Sequence, residues 1–157
     1  MKENEEIIQA FYHAFQQRDG EKMAASYQKN AVFSDPAFGT LKGEKIGMMW
    51  KMLCSTDSEL LITFSIDSSE NDIVNASWEA KYTFSKTGRK VHNKINATFR
   101  IKEALIVEHH DVFNLHLWAS QALGLKGLLL GRTPFFRKKL QKSTQKALQK
   151  YIAKTSS

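Results

Sequence analysis

Cysteine is almost absent: the 157 residues contain one, Cys54. No intrachain disulfide can form, and the expected compartment is the reducing cytoplasm. Cys54 stands at helical spacing with Met49, Trp50 and Leu53, which reads as a small core residue rather than a nucleophile. With two prolines and eight glycines, the chain is too regular for a fibrous or low-complexity class. No apolar run approaches the ~20 residues of a membrane span. Residues 1–6 carry no apolar stretch of the kind a secretory signal needs. Paired-cysteine spacing and histidines four apart on a helix are both lacking, so neither a metal nor a cofactor is expected.

A further absence is local. Residues 120–157 hold nine Lys and Arg and no Asp or Glu, whereas residues 1–119 hold 14 bases and 16 acids. The net charge of +7 therefore belongs to the tail, and the high isoelectric point does not imply a specific nucleic-acid partner.

What is present is a change of period. Ile7, Phe11 and Phe15, with Ile8 and Tyr12 beside them, predict an amphipathic helix over residues 4–18. Asp19 is placed to cap a short second helix carrying Met23, Ala24 and Tyr27. Residues 31–34 form a short apolar run that reads as a strand. Asp35, Pro36 and Gly39 mark a loop after it, since proline forces extended geometry on its predecessor. Residues 43–54 predict a third helix. Beyond it the apolar positions alternate: Leu60, Ile62, Phe64, Ile66; then Val74, Ala76, Trp78, Ala80, Tyr82, Phe84; then Val91, Ile95, Ala97, Phe99, Ile101. With a last strand over residues 105–113, the pattern predicts four antiparallel strands with one buried face. The final third is helical again: residues 115–123, ended by Gly124, and a segment begun by Thr133 and Pro134.

The order helix, helix, strand, helix, four antiparallel strands, together with Asp19–Gly20, the Asp35–Pro36 loop with Gly39 and Gly43, the Gly88–Arg89–Lys90 hairpin and the run from Ile106 to Phe113, resembles the nuclear transport factor 2-like superfamily. That group includes ketosteroid isomerase and the SnoaL-like polyketide cyclases. The resemblance implies an α+β roll of the cystatin-like kind. A cone-shaped curved antiparallel sheet would pack on N-terminal helices over residues 1–114, and a basic helical extension, residues 115–157, would pack on the same domain. It also implies a homodimer, formed through the outer face of the sheet. The isomerase pattern is only partly met. Asp35 matches the general base, but Phe11 and Ala97 stand where that enzyme has its two oxyanion donors. Loss of one such donor costs ~100-fold or more, so ketosteroid isomerisation by that route is not expected.

Three residues are candidates for catalysis. Asp35, at the mouth of an apolar hollow, would have its charged form disfavoured and its pKa raised toward general-base values; the other reading is a turn residue bonding nearby amides. His109 and Asp111 share one face of the last strand because side chains alternate, and the match to the family turns them, with Phe113, inward. Leu105 and Val107 have the same parity. A bulge in this strand would exchange His109 for His110. The other reading of the pair is a buried structural contact. Tyr12, Phe15, Tyr27, Phe38, Trp50, Trp78, Tyr82, Phe99 and Phe113 are the expected walls of a site for a small hydrophobic molecule, or else simply core.

Two functions remain open: cofactor-free acid–base chemistry of the isomerase, cyclase or epoxide hydrolase kind, and a non-catalytic ligand-binding or dimerisation module. The tail is read in three ways: packed on the domain or a second subunit, bound nonspecifically to nucleic acid, or laid on an anionic membrane through Phe135, Phe136, Lys138, Lys139 and Lys142.

Overall fold

Apolar side chains at helical spacing drive the first layer. The computed structural model describes residues 2–56 and 59–156. Helix α1 (Lys2–Gln16) buries Ile8, Phe11, Tyr12 and Phe15 along one stripe. Each such side chain taken out of water contributes roughly 1.5–3 kcal/mol. Asp19 caps α2 (Gly20–Ala25) by accepting from the Lys22 amide at 3.0 Å. Helix α3 (Glu44–Cys54) turns Ile46, Met49, Trp50 and Cys54 inward. Helices α2 and α3 cross so closely that a Cβ on Gly47 would lie 2.7 Å from that of Ala24. A side chain there would push α3, and Trp50 with it, off the core.

The sheet has six strands in the order β2-β1-β6-β5-β4-β3. They are β1 (Tyr27–Asp35), β2 (Gly39–Lys42), β3 (Leu60–Glu70), β4 (Ile73–Phe84), β5 (Arg89–Lys102) and β6 (Leu105–Val112). The last four meander antiparallel, as the alternation predicts, and their inward residues (Ile62, Val74, Ala76, Trp78, Ala80, Ile95, Ala97, Phe99, Ile101) are buried. Strand β1 pairs parallel to β6, which makes the sheet mixed. Two features lie outside the sequence-based expectation. Tyr27, expected at the end of a helix, opens β1, and four-residue β2 is too short to display an alternation.

Irregularities bend the sheet around the helices, because a bulge adds local twist to one strand. One lies between Ile66 and Ser68 in β3. Another lies in β6, where Ile106 faces Ile101 but Glu108 faces Arg100, leaving Val107 as the extra residue. Ile106, not Leu105 or Val107, is therefore the fully buried residue at the start of β6. After the bulge, His109 and Asp111 point inward.

The C-terminal helices cover the rim. Asn114 caps α4 (Leu115–Leu123), whose Trp118, Ala119 and Ala122 form a second core with Val91 and Leu115. Helix α5 (Leu125–Leu130) fills the interval between the two helices expected at 115–123 and after Thr133. Thr133 caps α6 (Pro134–Thr155), with Pro134 in the first turn, as the sequence predicts. Leu148 of α6 is buried in the main core. Three polar residues on the same face reach the loop after β1: Gln141 donates to the Pro36 carbonyl (3.2 Å), Thr144 to Ala37 (2.9 Å) and Gln145 to Phe38 (2.6 Å). No helix among the described residues is long and apolar enough to cross a membrane.

Candidate functional site

Strand β6 delivers the two most deeply buried polar side chains. His109 has no exposed surface and Asp111 is 4% exposed. Cross-strand pairing puts Phe99 opposite His109 and Ala97 opposite Asp111. The imidazole stacks on Phe99 with centroids 4.0 Å apart and lies nearly parallel to Trp50 at 6.1 Å. Phe33 closes it edge-on at 5.0 Å, and Phe11 at 5.9 Å.

A charged or polar ring survives in such a place only if its nitrogens are satisfied. Here both are. The Trp50 indole N–H donates to the Tyr27 hydroxyl (2.8 Å), that hydroxyl meets His109 Nδ1 (2.7 Å), and His109 Nε2 meets Asp111 Oδ1 (2.8 Å). The indole can only donate and an ionised carboxylate can only accept. The four groups are therefore consistent with one direction: Tyr27 donates to Nδ1, and Nε2–H donates to Asp111. Burial holds the Tyr27 phenol well above its ordinary pKa, which keeps it a donor. The run Trp50–Tyr27–His109–Asp111 is one buried relay of hydrogen bonds. Sequence reasoning named Trp50 and Tyr27 only as walls. Nothing in their spacing signals the bonds, which join three separate elements, α3, β1 and β6.

Asp35 ends β1 beside this relay. Its Oδ1 accepts from the Ala37 amide (2.9 Å) and the Phe38 amide (2.6 Å). The turn reading is thus satisfied, yet the carboxyl is not an ordinary one. Burial pushes its pKa up to about 7, and the negative field of Asp111 adds to that, while the two amides pull the other way. A buried carboxylate and a half-buried one that sense each other are a recurrent acid–base arrangement, since their environments separate their roles.

The inward aromatics are arranged around these groups. Tyr12 stacks on Phe64 (5.0 Å), and Phe15 packs edge-on against Trp50 (5.1 Å) and Trp78 (5.5 Å). Among the described residues, the Tyr12 hydroxyl and the Trp78 indole nitrogen are the buried side-chain polar atoms with no hydrogen-bond partner. Burial, reinforced by the charge of Asp111, raises the Tyr12 pKa well above its ordinary value. Phe38 is buried under α6, and Phe113 is partly buried between the two cores. Tyr82 stands apart: it lies eight residues along β4 from Val74, the residue facing Phe99, and its hydroxyl accepts from Trp118 (2.8 Å). His110 takes the opposite face from His109 and bonds Ser34. Two grooves, of about 550 and 430 Å³, flank α6 at Phe113–His116 and at Thr40–Lys42; neither is lined by Asp35, His109 or Asp111.

The model of the SnoaL-like domain family matches residues 8–109. The chain belongs to that family. Solved structures with the same fold include an LEH-like epoxide hydrolase from M. tuberculosis. It is 16% identical with a TM-score of 0.61, and the match covers 83% of this chain and 92% of that one. A candidate polyketide cyclase from Silicibacter sp. is 15% identical with a TM-score of 0.69, covering 78% and 96%. A candidate isomerase from Bacillus subtilis is 19% identical with a TM-score of 0.66, covering 78% and 94%. At these identities the likeness is one of fold: the nuclear transport factor 2-like roll. No curated protein matches the chain in sequence. The matched segment takes in the SnoaL-like helices, β1 through most of β6, and ends at His109, so α4 to α6 lie outside it.

Proposed function

We propose that this SnoaL-like protein carries out cofactor-free acid–base chemistry on a small, largely apolar molecule bearing one polar group. The observation that carries the reading is a half-buried Asp35, with a pKa near 7, within the electrostatic reach of the buried His109–Asp111 couple. A carboxylate poised near neutral pH exists in both forms at working pH, which is the condition for efficient general-base action. In this reading Asp35 takes a proton from the substrate or from an attacking water. The His109–Asp111 couple holds or returns a proton, and Trp50 and Tyr27 fix the imidazole ring. The unpartnered Tyr12 hydroxyl and Trp78 N–H are donors available to the substrate's polar group. Ala97 and Ala76, in register beside Asp111, keep the sheet surface low there. Isomerisation, cyclisation and epoxide opening all use these elements; the fold alone does not choose among them.

Entry to the site would pass the loop after β1, so α6 must release its three bonds to Pro36, Ala37 and Phe38. That requirement also favours a second reading, a non-catalytic module whose interior is filled by its own aromatic rings. Turnover of an aryl epoxide and of a β,γ-unsaturated ketone by the full chain, compared with Asp35→Asn and Asp111→Asn, tests the first reading. Both variants are expected to lower the rate at least ~100-fold. Turnover that both variants retain in full, or no turnover and no thermal shift with any such compound, would assign the second.

A further inference from the structure

Helices α5 and α6 present a surface that neither core uses. Of the eight large apolar side chains exposed among the described residues, six fall between residues 117 and 135: Leu117, Leu125, Leu128, Leu129, Leu130 and Phe135. Leu125, Leu129 and Phe135 are each about 70% exposed. Such a concentration on a water-facing surface marks contact with something apolar. Four of the six lie on α5, which is held against α4 and next to the start of α6. Gly127 lies so close to the Ala119 carbonyl that α5 must lie flat on α4. The His116 ring ties α5 to the start of α6, meeting the Leu128 carbonyl (2.9 Å) and accepting from Arg132 (3.3 Å).

The charge around this patch has one sign. Asp111 is the last acid in the chain, and nine bases follow it. On α6, Lys138, Lys139, Lys142 and Lys146 follow Phe135 at three- and four-residue spacing and are all exposed, so they line the outward face. Lys139 Nζ lies 6.0 Å over the Phe135 ring. The opposite face of α6 is held on the domain by Leu148 and the three polar bonds. The neighbouring β4–β5 hairpin adds Lys86, Arg89 and Lys90. It is fastened to α4 through Thr87 to the Ala122 carbonyl and Arg89 to that of Gln121, and residues 80–102 contain no acid.

We propose that this face docks on an anionic phospholipid surface. The α5 leucines and Phe135 enter the boundary between headgroups and acyl chains, and the lysine face of α6 lies against the phosphates. The groove beside the patch, bordered by Arg132, Arg137 and His116, is placed to receive one headgroup. Charge complementarity selects this occupant. A second copy offers a body with 16 acids against 14 bases, too nearly neutral to match so many cations. A nucleic acid would satisfy the lysines but leave six large apolar side chains in water.

The test is co-sedimentation of the full chain with phosphatidylcholine vesicles and with vesicles in which about a third of the lipid is phosphatidylglycerol. Binding is expected only to the second kind, weakening with salt. Leu129→Glu with Phe135→Glu should lower partitioning more than about tenfold. Lys138→Glu with Lys139→Glu should do the same, at about fivefold for each lysine. Lys22→Glu with Lys94→Glu, an equal charge change on exposed residues elsewhere, should have little effect. All these sites are exposed, and far-UV circular dichroism checks that the variants are folded. Absence of vesicle binding at low salt, or equal losses in the control, would overturn the proposal. So would a solution dimer that Leu129→Glu dissociates, or duplex DNA bound as tightly as the vesicles and unaffected by Leu129→Glu.

Discussion

The molecule makes the same hydrogen bond twice, with different consequences. In the interior, the Trp50 indole donates to Tyr27 at 2.8 Å; at the rim, the Trp118 indole donates to Tyr82 at 2.8 Å. At the rim the bond ends there: it pins α4 to β4, and Phe84 packs edge-on against the same indole at 5.6 Å. In the interior the Tyr27 hydroxyl continues to His109 and from there to Asp111. The tryptophan–tyrosine pair is therefore a staple or the head of a relay according to what lies beyond the hydroxyl. Burial raises the phenol pKa in both places, so neither tyrosine is the group that changes charge. The buried imidazole and carboxylate supplied by β6 make the difference.

The comparison can be broken most decisively at that end. His109→Ala leaves the Asp111 carboxylate buried without its imidazole and should cost ~3–5 kcal/mol in urea unfolding. Tyr82→Phe, at the rim, removes one neutral bond and should cost only ~1 kcal/mol. Equal costs would reduce the interior relay to a second staple.

The next largest effect is in pH. The pKa of Asp35 rises from its ordinary 3.8 to about 7 in the folded chain, so the folded state holds that proton more tightly than the unfolded one. Its contribution to stability is complete below about pH 4, is lost as pH rises to about 7, and is flat above; the whole effect is ~4 kcal/mol. Denaturation midpoints measured across this window should show the decline in the native chain, and Asp35→Asn should remove it. Tyr82→Phe should leave it unchanged, since the rim cluster takes no part.

Leu148→Ala should cost ~2 kcal/mol, the low end for a buried leucine, because α6 lies at the edge of the core and can settle into the space. Hydrogen exchange should then quicken at the Ala37 and Phe38 amides, whose loop α6 holds. Unchanged exchange would mean that α6 does not control that loop. Trp118→Phe, which loses the rim bond of Tyr82→Phe and also shrinks a buried ring, should cost ~2 kcal/mol within the second core, with no change at Asp35.

Much of the scaffold was legible because its signals are local. Alternation over 10 or more residues in β4 and β5, helical spacing in α1, and the caps at Asp19 and Thr133 each follow from near neighbours. The parts that were not legible depend on distant partners. Tyr27 could not be taken off the helix, because its strand exists only through parallel pairing with Ile106 on β6. Leu105 and Val107 pointed to the right parity for His109 for the wrong reason, since the bulge at Val107 reverses their faces and leaves those of His109 and Asp111 inward. Gln141, Thr144 and Gln145, polar residues on the inward side of α6, were a readable sign of a bonded partner, but their partners lie more than 100 residues away.

The sequence by itself determined the α+β class, the order of its elements, the inward parity of β3 to β5 and the separation of a basic tail from a nearly neutral body, because periodicity and charge are properties of short stretches. Only the tertiary structure decided that Trp50, Tyr27, His109 and Asp111 form one chain of bonds, that burial and Asp111 together raise the Asp35 pKa, and that α6 covers that loop while leaving its lysines outward. Those outcomes come from groups far apart in the chain meeting where water is excluded, and low polarity is what turns their proximity into energy.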